Sequence, residues 1–158
     1  MKKLFLLTAL AALLTGCNSA FQERVAVNSS PEGADVFVND QLVGRTPVTV
    51  TLDKNGVYEL RLAKEGYKDK VVSLASIRQD SFVKFGPLVD MGYYRELSPS
   101  PVDAGLQPTF LPEYPGLNAF NDMTSNILKV DQMRKEGKIS QQEHSYLIKT
   151  ITDFYSKK

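Results

Sequence analysis

The chain has 158 residues, 42% of them hydrophobic, with a formal net charge of +1 and a single cysteine. This length suits one domain, or a small domain with additions. One cysteine excludes an intrachain disulfide and a multi-cysteine metal site, and the near-zero charge without an RNA-binding motif argues against a nucleic-acid partner.

The amino-terminal segment has the pattern of a signal peptide. A basic start at residues 1–3 precedes an apolar run over residues 4–14 that only Thr8 interrupts. That run is too short to remain as a helix across the ~30 Å hydrocarbon core of a bilayer, but it fits the apolar region of a signal peptide. We therefore expect residues 1–16 to be removed, which leaves 17 basic and 18 acidic side chains and a net charge of −1.

The cleavage region carries a lipid-attachment pattern. Leu14-Thr15-Gly16-Cys17 resembles the bacterial lipobox, in which the cysteine is diacylated and cleavage then leaves it as the new amino terminus. The alternative is a plain secretory signal with an incidental cysteine, but the position of Cys17 after the apolar run favours the lipobox. One acyl chain anchors only marginally, so several chains, such as palmitate, are needed for durable attachment.

Residues 17–23 are predicted to form the lipidated amino terminus and a short tether. In the Gram-negative lipoproteins that this pattern resembles, Asp at the second mature position favours retention in the inner membrane. Asn18 stands there in this chain. The resemblance therefore implies the outer membrane, on its periplasmic face or at the cell surface.

Residues 24–86 read as short β-strands separated by turns. Alternating apolar positions predict inward faces, and β-branched residues are frequent among them. The predicted strand residues are Val25 and Val27; Val36 and Val38; Val48, Val50 and Leu52; Tyr58, Leu60 and Leu62; and Val71, Val72 and Leu74. Pro31 fixes φ and Gly33 can take a positive φ, so Pro31-Glu32-Gly33-Ala34 suits a tight turn. Strands at this spacing predict a small sandwich or barrel.

The same stretch resembles a known family. Residues 30–39 (SPEGADVFVN), 43–47 (VGRTP), 58–62 (YELRL) and 64–67 (KEGY) are similar to a PEGA domain, which is named for the tetrapeptide at 31–34. The resemblance implies a compact antiparallel β-sandwich of the kind found in surface and envelope proteins. It brings no catalytic residues with it.

Residues 87–117 are rich in proline and aromatic residues. Each proline removes a backbone donor and biases the preceding residue towards extended conformations, so we expect neither a central strand nor a long helix. The segment is interpreted as a spacer or as a stretch laid over the sandwich. Tyr93 and Tyr94 are candidate partner-binding residues, although aromatic side chains here are equally able to pack on the core. A last strand is predicted at residues 81–85.

Residues 118–158 predict a helical hairpin. Met123, Ile127 and Val130 recur at helical spacing, Gly137 suits a helix end, and Ser140 with Glu143 has the spacing of a capping box. Two short helices are marginal alone, so their apolar stripe has to pack on the sandwich, a second copy or a partner. We expect a second copy or a partner. The candidate contact residues are Ile127, Val130, Leu147, Ile151 and Phe154.

The hairpin resembles a second family. Residues 127–129 (ILK) and 136–143 (EGKISQQE) are similar to the short carboxy-terminal helical module called SHOCT, with departures at Val130-Asp131 and at His144. The resemblance implies an element for oligomerisation or docking and carries no chemistry.

The sequence offers little for catalysis. His144 is the only histidine, it lies in a predicted helix, and no nucleophile motif accompanies it. A histidine-based metal site needs more such ligands. Asp53-x-Asn55-Gly56 lacks the later glutamate of a calcium loop and is explained by a turn. We therefore expect no enzyme activity, no cofactor and no metal.

The sequence as a whole predicts a lipid-anchored cell-envelope protein that binds other envelope components without catalysis. The alternative is an anchored module that binds peptidoglycan or surface polysaccharide through Tyr93, Tyr94 and the outward face of the sandwich. A hydrolase accessory is the third hypothesis.

Overall fold

The computed structural model describes residues 18–79 and 85–156. The predicted signal peptide and the lipobox at Leu14, Thr15, Gly16 and Cys17 lie outside the described residues. Of the strand predicted at residues 81–85, positions 81–84 also lie outside them, and Phe85 lies in a bend.

The described residues fold into eight strands, one short helix and the helical hairpin. A 3-10 turn at Asn18–Phe21 precedes the first strand. The strands are β1 Gln22–Ser30, β2 Asp35–Val38, β3 Gln41–Arg45, β4 Val48–Asp53, β5 Val57–Ala63, β6 Lys70–Arg78, β7 Arg95–Ser98 and β8 Val102–Gly105. The helices are α1 Pro87–Asp90, α2 Ala119–Lys135 and α3 Gln141–Ser156.

The strands form two sheets that share one core. One sheet has the order β4-β1-β8 and the other has the order β3-β2-β5-β6-β7. Every pairing is antiparallel except that of β1 with β8, which is parallel. The predicted fold class, a mainly β sandwich followed by a helical hairpin, is confirmed. The parallel pair was not predicted.

The inward faces of β1, β2, β4 and β5 follow the predicted alternation, whereas Val71 of the set predicted for β6 is exposed and β3, which was not predicted, has no buried residue. Val25 and Val27 of β1 are fully buried, as are Leu60 and Leu62 of β5, whereas Val57 on the outward face is exposed. Because side chains point alternately to the two faces of a strand, this pattern fixes the register of each pairing. The two inner faces meet in a single apolar cluster.

The tetrapeptide turn between β1 and β2 is closed by hydrogen bonds to Thr46, which lies between β3 and β4. Gly33 has φ +81°, which confirms the predicted positive φ. Its N–H donates to the carbonyl of Thr46 at 3.0 Å, and the N–H of Thr46 donates to the carbonyl of Ala34 at 2.9 Å. The Thr46 hydroxyl accepts from the N–H of Ala34 at 3.0 Å and lies 2.6 Å from the Ser29 hydroxyl. The turn therefore has a buried polar centre.

The prediction of a spacer at residues 87–117 is wrong in part. β7 pairs with β6 and β8 pairs with β1, so this segment supplies one edge strand to each sheet. The physical reason is the placement of the prolines. Pro99 and Pro101 lie between the two strands and neither strand contains a proline, so no ladder hydrogen bond is lost.

The helical hairpin has the predicted ends. Gly137 follows α2 with φ +71°, which suits a residue just past a helix end. The N–H of Glu143 donates to the hydroxyl of Ser140 at 3.1 Å, which caps the amino terminus of α3.

The apolar stripe of the hairpin belongs to the protein's own core. Val130, Leu147 and Ile151 are 0%, 2% and 0% exposed and join the cluster formed by the sandwich residues. The prediction that these three residues bind a second copy or a partner is therefore wrong. Ile127 and Phe154 are partly buried against the same cluster. Helical periodicity identifies an apolar face but not its partner, and here the partner is the sandwich.

Candidate binding surfaces

A groove lies between α3 and the segment that follows β8. It has a volume of about 920 Å³. Leu111 on its wall is almost fully buried, whereas Tyr114 is 79% exposed. The other lining residues are Ser30, Gln107, Glu113, Pro115, Tyr146, Lys149, Thr150, Asp153 and Phe154. The lining thus combines apolar and aromatic side chains with polar and charged ones, and concave sites with both kinds of group are typical of ligand binding.

One wall of the groove is fixed to the sandwich through the backbone. The N–H of Lys68 donates to the carbonyl of Gln107 at 2.8 Å, and the N–H of Thr109 donates to the carbonyl of Gly66 at 3.0 Å. The N–H of Leu106 donates to the carbonyl of Ser30 at 2.9 Å. Backbone hydrogen bonds of this kind hold the segment in place although it has no regular secondary structure.

The other wall, α3, is fixed by two tyrosines. The hydroxyl of Tyr146 donates to the carbonyl of Leu106 at 2.8 Å. The hydroxyl of Tyr67, in the turn after β5, donates to the Glu143 carboxylate at 2.9 Å. Burial, followed by the hydrogen bond to Glu143, raises the pKa of Tyr67 well above its ordinary range. The phenol therefore remains a donor at neutral pH, and both walls of the groove are held by the sandwich.

A second surface covers the end of the sandwich where β1 begins. Phe85, Leu88, Met91 and Tyr93 are all exposed there, in and around α1. The Tyr93 ring makes edge-to-face contacts with Phe21 at 6.4 Å and with Tyr94 at 5.1 Å between ring centroids.

The turn between β4 and β5 supports this second surface. The side-chain amide of Asn55 donates to the carbonyl of Met91 at 3.2 Å. The N–H of Lys54 donates to the carbonyl of Phe21 at 2.8 Å, and its ammonium group lies 6.0 Å from the Tyr93 ring centroid. These hydrogen bonds hold Met91 and Phe21 against the turn between β4 and β5. The exposed apolar side chains therefore belong to an ordered end of the sandwich.

The predicted contact residues divide between these two surfaces and the core. Tyr93 and Tyr94 lie at the end surface, and Phe154 lines the groove. Ile127 packs against the core without lining the groove. Tyr114, which lies in the segment rich in proline and aromatic residues, was not among the predicted contact residues. Its approach to α3 depends on the fold of residues 106–115 against the sandwich, which no local pattern encodes.

The single histidine has a structural position. His144 Nε2 lies 2.7 Å from Asp131 Oδ1, which joins α3 to α2. Within residues 18–79 and 85–156, no group of three or more His, Cys, Asp or Glu side chains is arranged to hold a metal ion. No helix in those ranges is long and apolar enough to cross a membrane.

Residues 23–85 match the family model of the PEGA domain. It comprises most of the sandwich but neither β7, β8 nor the helical hairpin. No curated protein and no solved structure matches the chain.

Proposed function

We propose that this protein is a lipid-anchored component of the bacterial cell envelope that binds another envelope component in the groove, without catalysis. The observation that carries the proposal is Tyr114, a largely exposed aromatic ring beside a groove whose lining includes the apolar side chains of Leu111 and Phe154. Exposed aromatic residues next to apolar pockets are typical anchors of binding interfaces. The SHOCT-like hairpin contributes the α3 wall, while its apolar stripe stabilises the fold.

The anchor rests on the amino-terminal sequence. The basic start, the short apolar run and the cysteine after Leu14-Thr15-Gly16 together favour acylation at Cys17. Asn18 favours the outer membrane over the inner membrane. The family of the folded part is consistent with an envelope location, because the PEGA resemblance implies surface and envelope proteins.

Attachment is tested by labelling cells with radioactive palmitate. Label should enter the wild-type protein and be absent from the Cys17→Ala variant, which should remain unprocessed or leave the membrane fraction. Label in Cys17→Ala at the wild-type level would refute acylation at this cysteine.

Groove binding is tested by placing a photo-crosslinking amino acid at position 114 of the full chain in intact cells. Leu42, which is exposed on β3, is the control position. We expect a discrete crosslinked species from position 114 and none of that mass from position 42. Its mass distinguishes a second copy of this chain from another protein. Equal crosslinking from both positions would contradict a specific groove.

A second candidate function is binding of peptidoglycan or another envelope polysaccharide in the same groove. It is favoured by the polar groups around Tyr114, namely Gln107, Glu113 and Asp153. Aromatic faces stack on sugar rings, and amide and carboxylate groups bind sugar hydroxyls. Sedimentation with purified sacculi decides this point, since Tyr114→Ala should reduce co-sedimentation if a glycan is the ligand. If the wild-type protein does not co-sediment with sacculi, glycan binding is refuted and only the protein-binding proposal remains.

A further inference from the structure

The apolar end surface lies where the chain would leave the membrane. The 3-10 turn ends at Phe21, whose ring contacts Tyr93, and only four positions separate Phe21 from Cys17. An extended chain spans at most ~3.6 Å per residue, so the Cα atoms of Cys17 and Phe21 are at most ~14 Å apart. The polar headgroup region of one leaflet is roughly 5–8 Å thick. With Cys17 acylated, Phe21 therefore lies at most about two headgroup-layer thicknesses from the lipid-modified cysteine.

The exposed side chains at this end are suited to the membrane interface. Phe85, Leu88 and Met91 are 87%, 50% and 56% exposed, and Tyr93 is 42% exposed. Four large exposed apolar or aromatic side chains thus lie within nine residues of the chain. Exposed apolar patches of this kind mark contacts with proteins or membranes. Tyrosine carries an apolar ring and a polar tip, and it favours the level of the lipid headgroups.

The charged residues at this end of the sandwich do not favour binding to a strongly anionic membrane. Among the described residues, those with a positive charge at this end are Lys54, Arg78 and Arg95, and those with a negative charge are Glu23, Asp53, Asp90 and Glu96. Because these charges nearly cancel, attraction to anionic lipids contributes little. Contact with the bilayer would therefore depend on apolar burial and respond weakly to salt.

We propose that the end of the sandwich bearing Phe85, Leu88, Met91 and Tyr93 lies on the bilayer that holds the acylated amino terminus. Phe85, Leu88 and Met91 enter the interface between headgroups and acyl chains, and Tyr93 lies among the headgroups. This inference rests on the proposed anchor at Cys17. It adds that the folded part has a fixed orientation on the membrane and does not move freely at the end of a tether.

The orientation is tested with tryptophan as a depth probe, since the chain contains no tryptophan. Leu88→Trp reports on the end surface. Leu117→Trp is the matched control, because Leu117 is also exposed and closely follows Tyr114 and Pro115 of the groove. The acylated full-length variants are purified from membranes and reconstituted in phosphatidylcholine vesicles, with and without bromine atoms on the acyl chains.

We expect a blue-shifted emission and several-fold stronger quenching by brominated lipid for Leu88→Trp than for Leu117→Trp, with little change between low and high salt. Flotation of the same samples separates the two hypotheses. A protein that floats while both tryptophans stay unquenched keeps its anchor but does not rest on this surface, which overturns the inference. A protein that does not float refutes the anchor and the inference with it. Equal quenching at both positions would also contradict a fixed orientation.

Discussion

At the scale of single residues, Thr46 determines the geometry of the tetrapeptide turn. The Ser29 hydroxyl donates to the carbonyl of Pro31 at 2.7 Å, so its contact with Thr46 is one in which the Thr46 hydroxyl donates. The same Thr46 oxygen accepts from the N–H of Ala34. One buried hydroxyl thus satisfies two partners on the preceding strand and turn. The threonine of the VGRTP stretch therefore has a structural role that explains its place beside the turn.

We predict that Thr46→Val destabilises the protein by ~1–3 kcal/mol. The substitution preserves shape but leaves the buried N–H of Ala34 without its acceptor, and an unsatisfied buried donor costs about that much. Thr51→Val, on the exposed face of β4, is the control and should change the free energy of unfolding by no more than ~0.5 kcal/mol. Chemical denaturation measures both variants. Equal losses would mean that the hydrogen bond from Ala34 to the Thr46 hydroxyl does not decide the effect.

Tyr67 connects stability to pH. Its pKa is raised in the folded protein, so the neutral phenol contributes stability that is fully present below its unfolded pKa of ~10 and is lost as pH rises above that value. We expect a free energy of unfolding that is steady near neutral pH and falls above pH ~10. Tyr67→Phe should cost ~1 kcal/mol at pH 7, through the lost hydrogen bond to Glu143, and should weaken the alkaline fall.

The control for Tyr67 is Tyr114→Phe, since Tyr114 is exposed. It should change neither the stability at pH 7 nor the shape of the alkaline transition. Denaturant titrations at a series of pH values measure both. An alkaline fall that is unchanged in Tyr67→Phe would assign the pH dependence to other groups.

At the scale of elements, the sequence predicts the alternating strands and the helical hairpin because their signals are local. β1, β4, β5 and β6 carry alternating apolar positions, and Ser140 and Gly137 mark helix ends. β7 and β8 were missed because each has only four residues, with one buried apolar residue in β7, Leu97, and two in β8, Val102 and Ala104. Such short edge strands are defined by the strand they pair with. Likewise, the surface that covers the hairpin stripe is a long-range contact, which periodicity does not reveal.

Leu147 tests whether the hairpin is part of the core. It is buried on α3 in the same cluster as the sandwich residues, whereas Leu128 on α2 is exposed. Leu147→Ala should cost ~2–5 kcal/mol, the usual range for a buried leucine. Leu128→Ala should cost at most ~0.5 kcal/mol, as is usual for surface changes. Circular dichroism should show the strand and helix signals falling together. Loss of the helix signal alone would define the hairpin as a separate unit.

At the scale of the whole molecule, the two candidate surfaces lie at opposite ends of β1. Phe21, just before the strand, contacts the apolar end surface, and Ser30, its last residue, lines the groove. The strand rises ~3.3 Å per residue, so roughly 26 Å separates the two ends. An anchored protein resting on its apolar end would therefore present the groove away from its own membrane. The residues of the end surface and of the groove can be found in the sequence. The distance between the two surfaces, however, is determined by the folded sandwich.

The extent of the folding unit can be tested with fragments. The PEGA domain ends near residue 85, and the sequence predicts a sandwich over residues 24–86 that is separate from the rest. However, β7 and β8 complete the two sheets, and nine of the nineteen buried apolar residues in the described part lie after residue 90. A domain of ~60 residues is marginal even with its full core. The matched family range is thus smaller than the structural unit.

We therefore predict that residues 21–87 alone do not melt cooperatively, whereas residues 18–156 unfold in a single transition. Residues 18–111 should fall between them, because this fragment restores both sheets but leaves the apolar surface around Leu106 and Leu111 without the cover of α3. Each lost apolar side chain removes ~1.5–3 kcal/mol of burial, so loss of Val130, Leu147 and Ile151 alone approaches the entire stability of a small domain. Thermal melts followed by circular dichroism compare the three lengths. A melt of residues 21–87 as cooperative and as high as that of residues 18–156 would show that β7, β8 and the hairpin are additions to an independent sandwich.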